Sequence, residues 1–293
     1  MRPPIFLFCI IIFMKNAEIF RTKDGSIGLY NRELDEIYHS KEGAQKESIE
    51  KFIIPSAFEK RTQKASSIRV LDICYGIGYN SKNALVFYKN CDITIDALEW
   101  DEELVRYSKE AEFFDPKINE FLCAKRTLGK SKINFYIDDA RKSIKGLNER
   151  YDVIFLDAFA PNKLPTLWSY DFFKELKRLM KPKGVLVTYS SALPVRNALY
   201  SNGFFLAKAL DEKGHSYLSA AALNKDVLFW AENLVALDDK DFGLMKTRAG
   251  IVYRDENLCS TPEDMLKRRE NEVKESNLMG ASAYLKHYGS ADA

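Results

Sequence analysis

Ile68-Arg69-Val70-Leu71-Asp72-Ile73-Cys74-Tyr75-Gly76-Ile77-Gly78 reads as a buried strand that stops in a glycine-bearing turn. A short, mostly apolar run closed by such a turn fits a strand inside a covered sheet. A helix is expected next, from about Asn80 to Tyr88. The turn lets backbone approach a ligand, and the helix start offers it free N–H groups. A dinucleotide fingerprint needs three spaced glycines, and Cys74 stands where the first would be. Taken alone, the turn can equally serve tight packing.

The same alternation continues downstream. Asp92–Leu98 reads as a strand closed by Glu99, and a helix runs from Asp101 to about Phe113. Ile133–Ile137 is a strand ending at Asp138-Asp139, and Tyr151–Leu156 is one ending at Asp157. A helix over Trp168–Met180, a strand over Gly184–Tyr189 and a helix over Val195–Asn202 follow. Two strands, near Phe204–Leu210 and Tyr217–Leu223, close the unit with no helix between them. Alternating strands and helices imply a parallel sheet covered on both faces, and the last pair implies an antiparallel edge. The expectation is an α/β, Rossmann-like class I AdoMet-dependent methyltransferase fold. Its sheet would be mostly parallel and seven-stranded, with an antiparallel edge hairpin.

This unit occupies residues 68–230. Residues 15–67 form an N-terminal segment, with a turn at Asp24-Gly25-Ser26, a short hairpin through Leu29–Tyr38 and a helix over Ser40–Phe58. Residues 114–132 are a charged insertion, and residues 231–293 a polar, largely helical C-terminal extension with Thr261 as an N-cap before Pro262. Residues 1–14 carry the apolar run Ile5–Phe13. Nine residues are too few for a spanning helix, which needs about 20. Three readings are open: a misassigned start with Met14 as the true first residue, a packed or disordered tail, or a targeting signal. No small-residue cleavage site follows, which favours the first.

The chain has 293 residues, with 44 Lys+Arg against 42 Asp+Glu and a net charge of +2. That excludes a wholesale polyanion binder and leaves a local basic patch open. The five cysteines are scattered without a CxxC, and the three histidines are far apart. No metal site is expected, and the reading is a cytoplasmic chain with reduced thiols and no membrane span.

Each strand end carries an acid, and ligands bind beyond the carboxyl ends of parallel strands. The candidate cofactor-binding residues are Asp72, Tyr75, Gly76, Gly78, Asn80, Glu99, Trp100, Asp139, Ala140 and Asp157. Glu99, about 20 residues past the turn, suits the two ribose hydroxyls of a nucleoside. Asp139 suits an adenine amino group, or merely caps the helix that starts at Ala140. The most specific stretch is Asp157-Ala158-Phe159-Ala160-Pro161-Asn162-Lys163-Leu164-Pro165-Thr166-Leu167-Trp168, a stiff, aromatic, acid-bearing loop. It suits a planar or cationic acceptor, with Asp157 as the catalytic group. No P-loop and no Ser-His or Cys-His pair competes, so S-adenosyl-L-methionine (AdoMet) is the expected cofactor.

Asp157–Trp168 resembles the methyltransferase half of the bacterial MnmC enzymes and their stand-alone MnmD-like relatives. Tyr75-Gly76-Ile77-Gly78-Tyr79-Asn80 is similar to that family's glycine turn, and the likeness runs over residues 20–223. It implies N-methylation of 5-aminomethyl-(2-thio)uridine at the tRNA wobble position, with no FAD-dependent oxidase domain in this chain. The implied partner is the anticodon stem-loop of tRNA. Phe159, Pro161, Lys163, Trp168 and Arg196 are candidate substrate-binding residues, with Tyr75, Phe159 and Trp168 as stacking surfaces for a splayed base. Lys125-Arg126, Lys130, Lys132 and the cluster Lys174, Lys177, Arg178, Lys181 and Lys183 are candidate phosphate contacts. A small-amine methyltransferase, a spermidine synthase-like aminopropyltransferase and a non-catalytic RNA-binding protein are the alternatives.

Overall fold

The computed structural model describes residues 17–33, 35–86, 91–110 and 130–291. The run Ile5–Phe13 and most of the charged insertion, Lys125-Arg126 included, lie outside the described residues.

The main sheet is built from β4 (Ser67–Ile73), β5 (Asp92–Glu99), β6 (Lys132–Ile137), β7 (Tyr151–Leu156), β8 (Met180–Thr188), β9 (Phe205–Leu210), β10 (Ser216–Ala222) and β11 (Val235–Ala236). The spatial order is β11-β9-β10-β8-β7-β4-β5-β6. Strands β6 to β8 are parallel, and β10, β9 and β11 continue in antiparallel pairs. Eight strands are therefore present where seven are expected. The extra one is only two residues long and too short to leave a periodic signal.

Alternation along each central strand divides the core. Val70, Ile95, Val153, Phe155 and Val185 face one side. Leu71, Leu98, Ile154, Leu156 and Leu186 face the other. The chain builds outward from β4 to β5 and β6, then returns to β7 on the opposite flank. The reversal opens a crevice at the carboxyl ends of β4 and β7.

A separate sheet is formed by β1 (Ala17–Arg21), β2 (Ile27–Asn31) and β3 (Glu36–Ile37). Its Ile27 and Leu29 pack with Ile77, Tyr79 and Leu104, which seats it over the glycine turn. The expected helix over Ser40–Phe58 is broken in two. Helix α1 (Ala44–Ser48) continues as a wide turn over Ile49–Ile53, and α2 (Phe58–Lys64) begins after Ala57, whose φ is +52°. Pro55 lacks an N–H and its ring clashes with the preceding turn, which ends the helix.

Helices α3 (Tyr79–Val86), α4 (Glu102–Glu110), α5 (Ala140–Gly146), α6 (Tyr170–Leu179) and α7 (Leu193–Ser201) cover the sheet, and a short α8 (Lys225–Leu228) follows β10. The C-terminal region holds α9 (Asp239–Met245), α10 (Pro262–Glu275) and α11 (Ala281–Ala291). The Thr261 hydroxyl accepts from the Asp264 N–H and caps α10. None of the described helices is long and apolar enough to cross a membrane.

Candidate active site

The floor of the crevice is the turn after β4. Cys74, Gly76 and Gly78 have φ of +65°, +58° and +85°. The left-handed value is unusual for cysteine and natural for the glycines. A Cβ on Gly78 would come within 2.3 Å of the Tyr75 hydroxyl, so this glycine makes room for the Tyr75 ring. Cys74 and Tyr75 both donate their N–H to the Leu98 carbonyl, pinning the turn to the end of β5. Asp72 is fully buried, and its Oδ2 accepts from the Ser81 hydroxyl at 2.5 Å. Its Oδ1, like the Asn80 side-chain oxygen, is a buried acceptor with no donor in the protein. Burial pushes the Asp72 carboxyl up to about 7, aided by the nearby Glu99 charge and opposed by the bonds to Ser81.

At the end of β5, Glu99 gathers three backbone N–H groups. Gly76 donates to Oε2 at 2.7 Å, and Trp100 and Asp101 donate to Oε1 at 2.8 and 3.0 Å. Burial raises its pKa and these bonds resist the rise. The Trp100 indole is largely exposed at the rim. Beside Glu99, the Asp138 N–H donates to the Glu99 carbonyl at 3.1 Å, which carries Asp138, Asp139 and Ala140 to the same crevice end.

At the end of β7, Asp157 keeps one edge open to the crevice, and Asn80 donates to its Oδ2 at 3.0 Å. Its carboxyl is pushed up to about 8, first by burial and then by the Glu47 carboxylate. The Asn80 bond and the Lys51 charge pull the other way. Glu47 is held by Lys51 at 2.6 Å and by the Ser40 N–H at 2.6 Å. Lys51 lies 5.9 Å from the centre of the Tyr189 ring. The Tyr189 hydroxyl donates to the Ala158 carbonyl at 2.8 Å. Phe159 meets Tyr38 of the N-terminal segment edge-on at 4.9 Å. Lys163 binds Glu36 at 3.4 Å and the Asp35 carbonyl at 3.0 Å. The side of the crevice around Asp157 is therefore walled jointly by residues 35–51 and 157–189.

Comparison with known proteins accords with this arrangement. A family described as S-adenosyl-L-methionine-dependent methyltransferase matches residues 107–218. An uncharacterized protein of Methanocaldococcus jannaschii is 35% identical over 86% of this chain and 71% of its own. The crystal structure of MNMC2 from Aquifex aeolicus superposes with a TM-score of 0.77 at 27% identity, covering 94% of both chains. The tRNA 5-methylaminomethyl-2-thiouridine biosynthesis bifunctional protein MnmC of Campylobacter concisus is 28% identical over 72% of this chain. This chain spans 36% of that protein's length.

The chain is an S-adenosyl-L-methionine-dependent methyltransferase related to the MnmC enzymes.

The residues present fit the cofactor of such a methyltransferase. The orphaned acceptors Asp72 Oδ1 and Asn80 Oδ1 suit an ammonium group, which needs two or three acceptors. The Glu99 carboxylate is preorganised by its three N–H bonds and retains lone pairs for ribose hydroxyls. Ala140 opens α5, so its N–H has no partner within the helix.

Several expected contacts take other roles in this methyltransferase. Trp168 is fully buried, donates to the Phe159 carbonyl at 2.8 Å and packs edge-on to Tyr189 at 6.0 Å. It cannot stack on a base; it braces the loop from within. Tyr75 is likewise buried, with its hydroxyl 3.1 Å from that of Ser108. Pro161 is buried and stiffens the same loop. Arg196 is 3% exposed and spends its guanidinium on Ser219, Ser216 and the Leu218 carbonyl, so it meets no phosphate. Lys177 is bonded to the Asn202 carbonyl, Arg178 to Glu175 and to the Ile144 and Leu147 carbonyls, and Lys181 to Asp152. These three hold α6 and β8 in place and leave a thinner basic surface than the cluster suggests. Asp139 does cap α5, accepting from the Arg141 N–H at 2.8 Å, and is also gripped by the Arg141 side chain. Phe159 is the one expected stacking residue that remains partly accessible.

Glu36, Glu47, Lys51 and Tyr189 were not singled out by the sequence. Glu47 and Lys51 pair one helical turn apart, but their approach to Asp157 and Tyr189, and that of Glu36 to Lys163, comes from tertiary packing that no local spacing announces.

Proposed function

We propose that this methyltransferase methylates the amino nitrogen of 5-aminomethyl-(2-thio)uridine at the tRNA wobble position, giving 5-methylaminomethyl-(2-thio)uridine. The observation that carries the proposal is Asp157, a strand-end carboxyl with an open edge and a pKa pushed up to about 8. A general base works best when its pKa lies near the operating pH. When bound, AdoMet supplies a methyl group already activated on a sulfonium. Asn80 holds Asp157 Oδ2. This leaves Oδ1 to accept a proton from the acceptor ammonium and free its lone pair. Asp72 and Asn80 would hold the cofactor's ammonium, Glu99 its ribose, and Asp139 with Ala140 its base. Phe159 and Tyr38 form an aromatic wall suited to a splayed uracil. The names of the relatives support tRNA as the acceptor, and a tRNA acceptor would place the reaction in the cytoplasm.

A small amine on the same fold is the second reading, favoured by the acids Glu36 and Glu47 near Asp157. Each of these acids already holds a lysine, Lys163 and Lys51 respectively. That leaves little negative charge for a polyamine.

The test is methyl transfer from labelled AdoMet to bulk tRNA from cells lacking the protein, followed by nucleoside analysis. Label in 5-methylaminomethyl-(2-thio)uridine is expected. Label that resists ribonuclease, or none in tRNA while AdoMet binds, would move the acceptor to a small amine.

A further inference from the structure

Arg141 of α5 ties the C-terminal extension to Asp139, the acid at the end of β6. The Arg141 side chain grips Asp139 with Nε at 3.2 and 3.1 Å from its two oxygens and Nη2 at 2.7 Å from Oδ2. Its Nη1 donates to Asp255 Oδ2 at 2.9 Å and to the Ser260 carbonyl at 2.8 Å. Asp255 is fully buried, and its Oδ1 takes the N–H groups of Cys259 and Ser260 at 3.0 and 2.9 Å. The Asp255 N–H donates to Asp171 on α6 at 2.7 Å. One guanidinium bridges both carboxylates of this triad, and the loop over residues 255–260 is fixed to the main domain.

Capping α5 asks only for one bond from Asp139 to a backbone N–H. The guanidinium fork adds more, because it fixes both side-chain torsions of Asp139. An ionised carboxylate offers about four lone-pair directions. The Arg141 contacts and the cap occupy most of them, so Arg141 decides where the remaining acceptor points.

We propose that Arg141 and Asp255 are positioning residues that aim Asp139 at the exocyclic amino group of the cofactor's adenine. The C-terminal extension thereby sets base selectivity at a site on the main domain. This rests on the reading of Asp139 as the adenine contact.

The experiment compares the full chain's calorimetric Kd for S-adenosylhomocysteine and S-inosylhomocysteine, in which a carbonyl replaces the amino group. The native chain should prefer the adenine form by about tenfold or more, the weight of a hydrogen bond to a charged acceptor. Asp255→Asn and the milder Arg141→Lys should shrink that preference severalfold. Lys145→Ala cuts a different tie to this loop, the bond to the Asn257 carbonyl, and should leave the preference intact. An unchanged preference in both Asp255→Asn and Arg141→Lys, with its loss in Asp139→Asn, overturns the proposal while sparing Asp139. A preference that survives Asp139→Asn removes the adenine contact itself, and the proposal with it.

Discussion

Asn80, at the start of α3, donates to Asp157, at the end of β7, at 3.0 Å across 77 residues of chain. One residue beside the glycine turn thus holds the carboxyl proposed to face the acceptor. The bond favours the ionised form of Asp157. Asn80→Ala should therefore raise the Asp157 pKa further, and the acid limb of the pH–rate profile should move to higher pH. A limb that stays in place would separate Asp157 from the titration that limits the rate.

Asp157→Asn removes the proton acceptor and keeps the shape. Methyl transfer should fall by about 10²- to 10⁴-fold, the usual weight of a general base. AdoMet affinity by calorimetry should change little. Native kcat in this variant would exclude Asp157 as the base.

Asp72 and Asp157 carry a further consequence for stability. Their pKa values rise on folding from 3.8 to about 7 and about 8. The folded chain holds these protons more tightly than the unfolded chain, so ionisation opposes folding. Their contribution is free of penalty below about pH 4 and worsens as pH rises towards about 8. The melting temperature of Asp157→Asn, minus that of the native chain, should grow across this window. A difference independent of pH would mean that the Asp157 pKa is not raised by folding.

Glu99→Gln should weaken both cofactor binding and the fold. An amide presents one oxygen where the carboxylate presents two, so an N–H group from Gly76, Trp100 or Asp101 loses its acceptor. The cost is about 1.5–3 kcal/mol for a bond to a charged group. Chemical denaturation would measure that loss, and an unchanged midpoint would mean the turn does not depend on Glu99.

Trp168→Ala should lower stability by about 3–5 kcal/mol, as expected for emptying a buried aromatic site. The milder Trp168→Phe leaves the Phe159 carbonyl without its donor. With tRNA as ligand, affinity at a fixed salt concentration should be nearly the same in Trp168→Phe as in the native chain, because a buried ring stacks on no base. A clear loss of affinity in folded Trp168→Phe would put Trp168 in contact with RNA after all.

The parallel core was legible because β4, β5 and β7 are near-continuous apolar runs ending in an acid. The break in the helix expected over Ser40–Phe58 went unread, although Pro55 marks it. The acids Asp72, Glu99, Asp139 and Asp157 share one end of the sheet because a parallel sheet aligns its carboxyl ends. Aromatic and basic residues were harder to read. Burial of Trp168 and Arg196 depends on what packs over them, and nothing local distinguishes an exposed tryptophan from an interior brace. Glu47 and Lys51 are one helical turn apart, but Tyr189 meets Lys51 from more than a hundred residues away.

Among the described residues, the N-terminal sheet shares no strand pairing with the main sheet. The N-terminal segment still supplies one wall of the crevice beside Asp157, the proposed acceptor side, through Glu36 and Tyr38. Segments with their own hydrogen-bond ladder can open in partial unfolding while the rest stays closed. Amide protons of β1 to β3 should then exchange faster than those of β4, β5 and β7. The donor half of the site would persist through such openings while the acceptor half dissolves and reforms, making methylation sensitive to a local melting that leaves cofactor affinity untouched.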